Sequence, residues 1–392
     1  MAKASIKLHG GGACPYAPQA GRAVAPRPPQ LVRLGDVCEI ERGGSPRPIE
    51  DYITTASDGI NWIKIGDADD SMFITSTAQK IRPEGVKKSR MVYAGDFLLS
   101  NSMSFGRPYI LKIDGCIHDG WLVIHDKDNV FHKPFLYYYL SAPSTYQKFK
   151  SLAVGGVVNN LNSKMVRGIE VPLPPIPEQK RIAAILNKIC EMKRNAEARL
   201  QKLDLLVKAR FVEMFGDPVA TVSSESKNLV QLGDVASLKA GKFISAKEIS
   251  NDGEYPCYGG NGVRGWVHDF NQDGEFPLIG RQGALCGNVQ LARGRFYATE
   301  HAVVVKPILR WNSVYMYYLL KALKLGRFAT GAAQPGLSVS KLEELIIDIP
   351  PLALQRQFAA FVEKVEGLKA TAKKELEQVD LLYRAKLQEF FG

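Results

Sequence analysis

The chain contains an internal duplication, and this constrains its fold more than any other feature. Residues 174–216 align with residues 350–392 without a gap, at a constant offset of 176. A second repeat lies upstream, where Leu34-Gly35-Asp36-Val37 recurs 198 positions later as Leu232-Gly233-Asp234-Val235. Each copy therefore consists of a globular part of about 140 residues followed by a long periodic segment. Two such halves are expected to be related by an approximate twofold axis, which suits a partner that is itself pseudo-twofold.

Composition is that of an ordinary globular protein. With 392 residues, 45% apolar and 23% charged, the chain can form two domains with separate cores. It has no run of 18 apolar residues, and its first thirty residues lack the apolar segment of a secretory signal. Glycine, proline and alanine in those residues predict a disordered basic tail over 1–30. Six cysteines without C-x-x-C spacing favour free thiols and a cytoplasmic location.

The net charge of +11 is unevenly spread. The first thirty residues carry four lysines and arginines and no acid, and residues 178–216 carry nine basic against five acidic residues. The two globular parts are close to neutral. A basic balance fits a polyanionic partner such as nucleic acid, but this charge alone supports it only weakly.

The two aligned segments predict two long helices. Apolar residues recur in steps of three and four from residue 178 to 215, and again in the second copy. Thirty-eight residues would form a rod of roughly 57 Å. The residues expected to pair the helices are Ile182, Ile185, Ile189, Met192, Leu203 and Leu206, with Phe358, Phe361, Val365, Leu368, Val379 and Leu382.

These helices could each cap their own globular part or pair with each other. A narrow apolar stripe on so long a rod favours pairing as a coiled coil, and symmetry favours the antiparallel arrangement. The helices would then separate the two globular parts and act as a spacer.

The globular parts are predicted to be mixed α/β domains, which gives an α+β chain. Short β-type runs cover 62–65, 97–99, 109–113 and 121–124 in the first half, and 277–279, 288–291, 296–298 and 302–305 in the second. Each half then has a tyrosine-rich helix, at 134–141 and 313–325. Core packing is the expected role of these tyrosines, and base stacking is the alternative.

Motifs for catalysis or cofactor binding are not found. Residues 260–265 match G-x-G-x-x-G, but no helix pattern follows, and Asn261-Gly262 is typical of a tight turn. No phosphate-binding G-x-x-x-x-G-K-[ST] is present. His118, His125 and His132 are seven residues apart, but strands and loops would scatter them, so no metal site is expected. The sequence therefore predicts no catalytic residues and no cofactor in this chain.

Polar side chains concentrate in loops at strand ends. Arginine can pair with guanine, and glutamine or asparagine with adenine, whereas lysine and arginine also hold phosphates. Ordinary loop polarity with satisfied hydrogen bonds is the alternative interpretation. The candidates for base recognition are Asn101, Ser102, Arg107, His118, Asn261, Arg281, Gln282, Thr299, His301 and Gln334. The candidates for phosphate contact are Arg42, Lys64, Lys239 and Lys242.

With these motifs in order and in duplicate, the sequence resembles the specificity subunit of type I restriction-modification systems from about residue 31 to the end. The resemblance rests on the two Leu-Gly-Asp-Val repeats and on the helix starts at 173–182 and 349–358. It rests also on Phe-Gly-Asp-Pro at 215–218, and on residues 280–284 with 298–301, which are similar to one group of target recognition domains.

The resemblance implies a non-catalytic subunit that recognises a bipartite, asymmetric site on double-stranded DNA. It implies target recognition domains at 31–173 and 217–349 and spacer helices at 174–216 and 350–392, with the tail 1–30 outside. It further implies two modification subunits, which carry S-adenosylmethionine and methylate adenine N6. Restriction subunits use ATP and Mg²⁺, and the sequence leaves open whether two of these join the complex. No membrane partner is implied.

Two alternatives belong to other classes. A self-contained methyltransferase or nuclease would need a cofactor loop or a carboxylate cluster, and neither stands out in the sequence. A scaffold that binds protein partners through its helices without recognising DNA would need no polar recognition loops.

Overall fold

The chain forms two compact units in a computed structural model that describes residues 30–101, 105–152, 160–219, 228–331 and 335–392. Unit 1 comprises the residues up to Lys188 together with Tyr383–Gly392, and unit 2 comprises Ile189–Leu382. The predicted disordered tail lies, except for its last residue, outside the described residues.

Unit 1 is built on two five-stranded sheets and a short two-stranded one. Its strands are β1 (Leu31–Arg33), β2 (Glu39–Arg42), β3 (Ile53–Thr54), β4 (Ile60–Ile63), β5 (Phe73–Ile74), β6 (Gln79–Ile81), β7 (Arg90–Val92), β8 (Phe97–Ser100), β9 (Pro108–Leu111), β10 (Gly115–Ile117), β11 (Trp121–His125) and β12 (Glu170–Pro172). Its helices are α1 (Leu34–Val37), α2 (Lys133–Ser141), α3 (Pro143–Leu152), α4 (Ser163–Arg167) and the start of α5 (Ile176–Phe215). The sheet orders are β2-β11-β8-β9-β5, β3-β6-β4-β10-β7 and β1-β12.

The core of unit 1 explains its central strands. All four residues of β8 and of β9 are buried, as are the first four of β11. Strands covered on both faces have continuous apolar runs instead of alternating ones, and this is the pattern of Phe97–Ser100. Tyr138 and Tyr139 of α2 are also buried, so the predicted core packing of these tyrosines is confirmed.

Unit 2 is built on one six-stranded sheet and a short two-stranded one. Its strands are β13 (Leu229–Gln231), β14 (Ala236–Ala240), β15 (Tyr255–Gly259), β16 (Gly262–Val267), β17 (Gln272–Gly280), β18 (Val289–Ala298), β19 (Ala302–Pro307) and β20 (Ile346–Asp348). Its helices are the rest of α5, then α6 (Leu232–Val235), α7 (Ser313–Ala322), α8 (Val339–Glu343) and α9 (Leu352–Phe391), of which the last nine residues belong to unit 1. The sheet orders are β14-β19-β17-β18-β15-β16 and β13-β20.

Two predicted strands of unit 2 are in fact one. The runs at 288–291 and 296–298 belong to β18, because β17 pairs with it continuously from Gln272↔Phe296 to Ile279↔Val289. The polar residues between the two runs suggested a break that this pairing bridges. The predicted turn at Asn261-Gly262 is confirmed, since it joins β15 and β16 as an antiparallel hairpin and Gly262 has φ +108°.

The sequence repeat is also a structural repeat. Each Leu-Gly-Asp-Val forms one helical turn, and its first N–H donates to a carbonyl 2.8 Å away, Leu34 to Ile169 and Leu232 to Leu345. In each long helix a buried glutamine donates to the proline carbonyl five residues earlier, at 2.9 Å from Gln179 and 2.8 Å from Gln355. The repeated residues therefore make equivalent hydrogen bonds in the two units.

Within unit 2 the two long helices run antiparallel. On α5 and α9 respectively, Lys193 lies 2.8 Å from Asp380, Arg199 lies 3.3 Å from Glu375, and Asp204 lies 2.6 Å from Lys369. Residue numbers therefore increase along α5 while those of the contacting residues decrease along α9. The predicted α+β class, with two sheet-rich parts and a pair of antiparallel helices, is confirmed. Arg199 and Glu375, which interrupt the two apolar stripes, face each other.

Burial along the helices differs from the predicted stripe at several positions. Ile182, Ile189, Leu203, Phe358, Val365 and Val379 are buried, and Ile185 and Phe361 are half-buried. By contrast, Met192, Leu206, Leu368 and Leu382 are 40–47% exposed. An α-helix drifts by about 20° per heptad relative to a strict seven-residue repeat, so the buried face moves onto neighbouring positions. Those positions are Leu186, Val207, Phe211, Val362 and Leu387.

Candidate functional site

The described recognition candidates lie in loops, or at strand ends next to loops, at one edge of each unit, here called the loop edge. In unit 1 the loop edge consists of residues 43–47 after β2, 64–66 after β4, 101 and 105–107 after β8, and 118–120 before β11. In unit 2 it consists of residues 241–243 after β14, 260–261 after β15, 281–288 after β17 and 299–301 before β19. Strands β2, β11 and β8 are neighbours in one sheet of unit 1, and β14, β19 and β17 are neighbours in the sheet of unit 2, which brings loops far apart in sequence together.

The two loop edges share one backbone framework. Three backbone hydrogen bonds of unit 1 have a counterpart in unit 2, and only the glycine donor of the first is the same residue type in both units. The matching bonds are Gly43 N to Trp121 O (2.9 Å) with Gly241 N to Ala302 O (3.0 Å), His118 N to Ile63 O (3.1 Å) with Thr299 N to Tyr258 O (2.9 Å), and Asn101 N to Gly120 O (3.0 Å) with Arg281 N to His301 O (3.1 Å). By these bonds residues 118–120 correspond to residues 299–301.

Close backbone approach requires glycine in the first loop of each edge. A Cβ on Gly43 would lie 2.2 Å from the His118 carbonyl oxygen, and one on Gly241 would lie 2.0 Å from that of Ala298. Any larger residue would push the loop away from its neighbour. The glycines thus hold the first loop of each edge against the loop that precedes β11 or β19.

In unit 1 the predicted residues gather around Asp119, which was not among the candidates. The Asp119 carbonyl accepts from Arg42 Nε at 3.1 Å and from Asn101 Nδ2 at 2.9 Å. The Asp119 carboxylate oxygen Oδ1 accepts from Ser45 Oγ at 2.8 Å and lies 3.0 Å from His118 Nε2. Arg42, Asn101 and His118 therefore belong to one cluster.

The Asp119 carboxyl is held in its ionised form. Partial burial works to raise its pKa, but the hydrogen bond from Ser45 and the charges of His118 and Arg42 outweigh that effect and lower the pKa below its ordinary value. A negative charge is therefore fixed within the basic cluster.

A cleft of about 700 Å³ opens beside this cluster, with Trp62, Lys64, Gln79, His118 and Asp119 in its lining. Lys64 Nζ donates to Gln79 Oε1 at 2.7 Å, which leaves the Gln79 amide nitrogen as a donor. The rings of Trp62 and His118 meet edge to face, with centroids 6.1 Å apart. Lys64, predicted to contact phosphate, thus shares a cleft with the predicted base-reading His118.

Arg107 makes a separate set of contacts. Its guanidinium lies 3.0 Å from Asp70 Oδ1 and 5.3 Å from the ring centre of Tyr109. Arg107 is therefore held by Asp70 and Tyr109.

In unit 2 the loop edge centres on His301. Its Nδ1 lies 3.0 Å from Gln282 Oε1, and its Nε2 lies 3.2 Å from Glu300 Oε1. Arg281 follows the end of β17, and its buried Nε has no hydrogen-bond partner among the described residues. Arg281, Gln282 and His301 are therefore brought together, with Glu300 as an acidic neighbour that sequence reasoning had not selected.

The remaining candidates occupy the rest of this edge. Lys242 forms a bridge with Thr299, and Asn288 Nδ2 donates to Asn261 Oδ1 at 2.5 Å. Lys239 and Lys242 are exposed, as phosphate contacts require. Phe243, beside Lys242, is 75% exposed and was not predicted as a site residue.

Two predicted base-reading residues lie below the surface. Asn101 is buried with its amide bound to the Asp119 carbonyl, and Thr299 is buried with its hydroxyl near the backbone N–H of His301 at 3.4 Å. The Asn101 side chain therefore links two loops, whereas the Thr299 hydroxyl bonds within its own loop. Ser102 and Gln334 lie outside the described residues.

The three histidines spaced by seven do not converge. His118 lies on the loop edge, His125 at the other end of β11 beside Asp96, and His132 just before α2. Among the described residues, no group of three or more His, Cys, Asp or Glu is placed to hold a metal ion. No helix in the described ranges is long and apolar enough to cross a membrane.

The chain belongs to the type I restriction-modification specificity family, since the model described as "Type I restriction modification DNA specificity domain" matches residues 26–204 and again 224–380. Members of this family supply DNA sequence specificity and are not catalytic, and the chain shares that role in a restriction-modification complex.

Similar curated proteins and solved structures agree with this family assignment. The EcoprrI specificity subunit of Escherichia coli is 31% identical over 358 residues, which cover 86% of this chain and 87% of the relative. The MjaVIII specificity subunit of Methanocaldococcus jannaschii is 22% identical and covers 90% of this chain and 89% of its own. A chain from a study of complex assembly and conformational transition of the type I R-M system has a TM-score of 0.63 at 18% identity, with 93% and 98% coverage. The S subunit from M. genitalium has a TM-score of 0.59 at 17% identity, with 93% and 96% coverage.

Proposed function

We propose that this subunit recognises a bipartite, asymmetric DNA site, with one half-site read by each loop edge. The target recognition domains would span 31–173 and 217–349, and the helices at 174–216 and 350–392 would set the distance between half-sites. The observation that carries the proposal is the gathering of the polar loops at a single edge of each unit, on a common backbone framework.

Different side chains on that framework support an asymmetric site. Unit 1 presents His118, Lys64 and Gln79 around its cleft, whereas unit 2 presents Arg281 and Gln282. The major groove displays a distinct pattern of donors and acceptors for each base pair, so two edges with different side chains would select different bases. Exposed Arg42, Lys239 and Lys242 would contact phosphates and fix the register of each domain.

The helices would hold the other subunits of the complex. In unit 2, Leu205 and Leu381 lie on the paired helices with more than half of each side chain exposed. Exposed apolar residues on one element are typical of a protein interface. Two modification subunits that bind S-adenosylmethionine would methylate adenine N6 on the selected DNA in the cytoplasm. Restriction subunits, where present, would add ATP- and Mg²⁺-dependent cleavage.

Arg281→Ala tests DNA reading by unit 2. In the complex with its modification partner, methylome sequencing should show relaxed selection at one position of one half-site and an unchanged second half-site. A bidentate arginine contributes roughly 1–3 kcal/mol of discrimination. Arg293→Ala is the control, because Arg293 lies on the same sheet but pairs with Glu275 at 3.2 Å. Equal weakening on all sequences would make Arg281 a phosphate contact instead.

A four-residue insertion tests the helices as a spacer. One insertion after Ala196 and one opposite it on α9, after Leu376, would lengthen both helices by about one turn while keeping their pairing. The nonspecific gap between the half-sites should lengthen in the methylome of this variant. An unchanged gap would exclude the spacer role.

A further inference from the structure

Each loop edge carries one carboxylate at the same place in the shared framework. The matching hydrogen bonds align His118-Asp119-Gly120 with Thr299-Glu300-His301, so Asp119 corresponds to Glu300. The neighbouring residues differ in type and order, and yet each carboxylate has an imidazole nitrogen close by, at 3.0 Å in unit 1 and 3.2 Å in unit 2. The two sequence repeats have offsets of 176 and 198, whereas Asp119 and Glu300 are 181 positions apart. Neither repeat therefore aligns these two residues.

One oxygen of each carboxylate lacks a strong hydrogen bond. Asp119 Oδ1 accepts from Ser45 and faces His118, whereas the partner of Oδ2 among the described residues is the Arg47 guanidinium at 3.7 Å. Glu300 Oε1 faces His301, whereas Oε2 has no hydrogen-bond partner among the described residues. An acceptor left without a donor costs free energy, and at Asp119 a ligand that donates would recover it.

Both carboxylates can be reached from outside. The Asp119 side chain is 32% exposed and that of Glu300 is 33% exposed. Glu300 Oε2 is itself buried, so a donor from outside would reach this carboxylate at Oε1, beside His301.

A negative charge on a surface that faces DNA needs an explanation, because phosphates repel it. Its chemical use is to accept a hydrogen bond from an exocyclic amino group of a base. In the major groove cytosine presents N4–H₂, and aspartate or glutamate accepts from it. The same carboxylate repels the O6 and N7 of guanine and the O4 of thymine, which are acceptors.

We propose that Asp119 and Glu300 are specificity-determining residues, each accepting from the N4 amino group of a cytosine in its own half-site. This inference rests on the proposed function, since it requires that the loop edges face DNA. The adjacent histidines and Ser45 orient the carboxylates, and the surrounding cations offset their repulsion of the backbone.

Glu300→Gln removes the charge with little change in shape. In the complex with its modification partner, we expect affinity for the cognate site to fall about 5- to 150-fold. Affinity for unrelated DNA should rise, because a charge that repels phosphates is gone. The methylome should show relaxed selection at one cytosine of one half-site, and Asp119→Asn should do the same in the other half-site only.

Glu275→Gln is the matched control, because Glu275 lies in the same unit and is also paired. Its partner is Arg293 of β18, at 3.2 Å, which lies outside the loop edge. This substitution should leave both the site and the affinities unchanged. If Glu300→Gln behaves like Glu275→Gln, the inference is wrong. If Glu300→Gln lowers the affinity for all DNA alike, Glu300 only positions His301 and the inference is also wrong.

A base analogue identifies the amino group directly. A 2-pyrimidinone base, which lacks N4, would replace each cytosine of the half-site in turn. At one position the analogue should lower the affinity of the native protein by the same factor as the Glu300→Gln substitution does. The analogue at that position should not lower the affinity of the Glu300→Gln protein any further. An equal loss in both proteins at every position would refute the contact. If Glu300→Gln leaves the methylated site unchanged but Arg281→Ala relaxes it, the contact with cytosine is wrong and the proposed function stands. If neither variant changes the methylated site, the proposed function is wrong as well.

Discussion

Phe358 packs the helix α9 into the core of unit 2. It lies on α9, is fully buried, and its ring centre is 5.4 Å from Phe211, 5.5 Å from Phe215 and 5.4 Å from Tyr318. Burial of a phenylalanine removes about 200 Å² from water, which is worth about 5 kcal/mol at 25 cal/mol per Å² as an upper bound. Phenylalanine-to-alanine truncations in cores cost about 3–5 kcal/mol, so we expect Phe358→Ala to cost about 4 kcal/mol.

Hydrogen–deuterium exchange measured by mass spectrometry is the suitable assay, because it reports opening free energies segment by segment. A loss of about 4 kcal/mol should raise exchange about a thousandfold in α7 and in the part of α9 within unit 2. Strands β8 and β11 of unit 1 serve as the internal reference, and Phe243→Ala, at an exposed residue, is the control. An increase below tenfold in α7 and α9, or one matched by Phe243→Ala, would refute the assignment of Phe358 to the core of unit 2.

Three further outcomes are expected. His125 Nδ1 lies 2.8 Å from Asp96 Oδ1, and this hydrogen bond raises the pKa of His125. Its stabilisation is complete below the ordinary pKa of 6.5 and is lost as pH rises through the raised pKa, so the urea midpoint of unit 1 should fall on going from mildly acidic to alkaline pH. Gln355→Ala should cost unit 2 about 1–3 kcal/mol by the same exchange assay, because the buried amide accepts a backbone N–H at 2.8 Å and donates to a carbonyl at 2.8 Å. Gly241→Ala should weaken binding to the half-site read by unit 2 at least about tenfold, since its Cβ would lie 2.0 Å from the Ala298 carbonyl oxygen.

Each of these has a control in the chain. His125→Gln should remove most of the pH dependence, and a midpoint that still falls in that variant would assign it to another group. Gln179→Ala should cost unit 1 a similar amount, because it makes the equivalent bond to Pro174. Gly367→Ala should leave DNA binding unchanged, since nothing lies within 4 Å of its added Cβ. Unaltered binding in Gly241→Ala would show that the loop edge tolerates displacement.

Local periodicity explains why so much of the fold followed from the sequence. The helices α5 and α9 have apolar residues at steps of three and four, and the core strands have short continuous apolar runs, so both element types could be predicted without tertiary information. The gapless repeat added what local patterns lack, because equal segments must make equal contacts. Gln179 and Gln355 do so. The break predicted within β18 was wrong because cross-strand pairing with β17 outweighs the polar residues at its middle.

The sequence by itself determined the duplication, the long helices, the family and the group of polar loop residues, since each is encoded in residue types at fixed spacing. Only the tertiary structure decided which of those residues share an edge. Arg42 and Asp119 are 77 positions apart and yet hydrogen-bonded, and Asn101 and Thr299 are polar and yet buried. The matching of Asp119 with Glu300 likewise depends on backbone hydrogen bonds between distant strands. Burial and pairing are set by neighbours in space, and for loops those neighbours are not written in the local sequence.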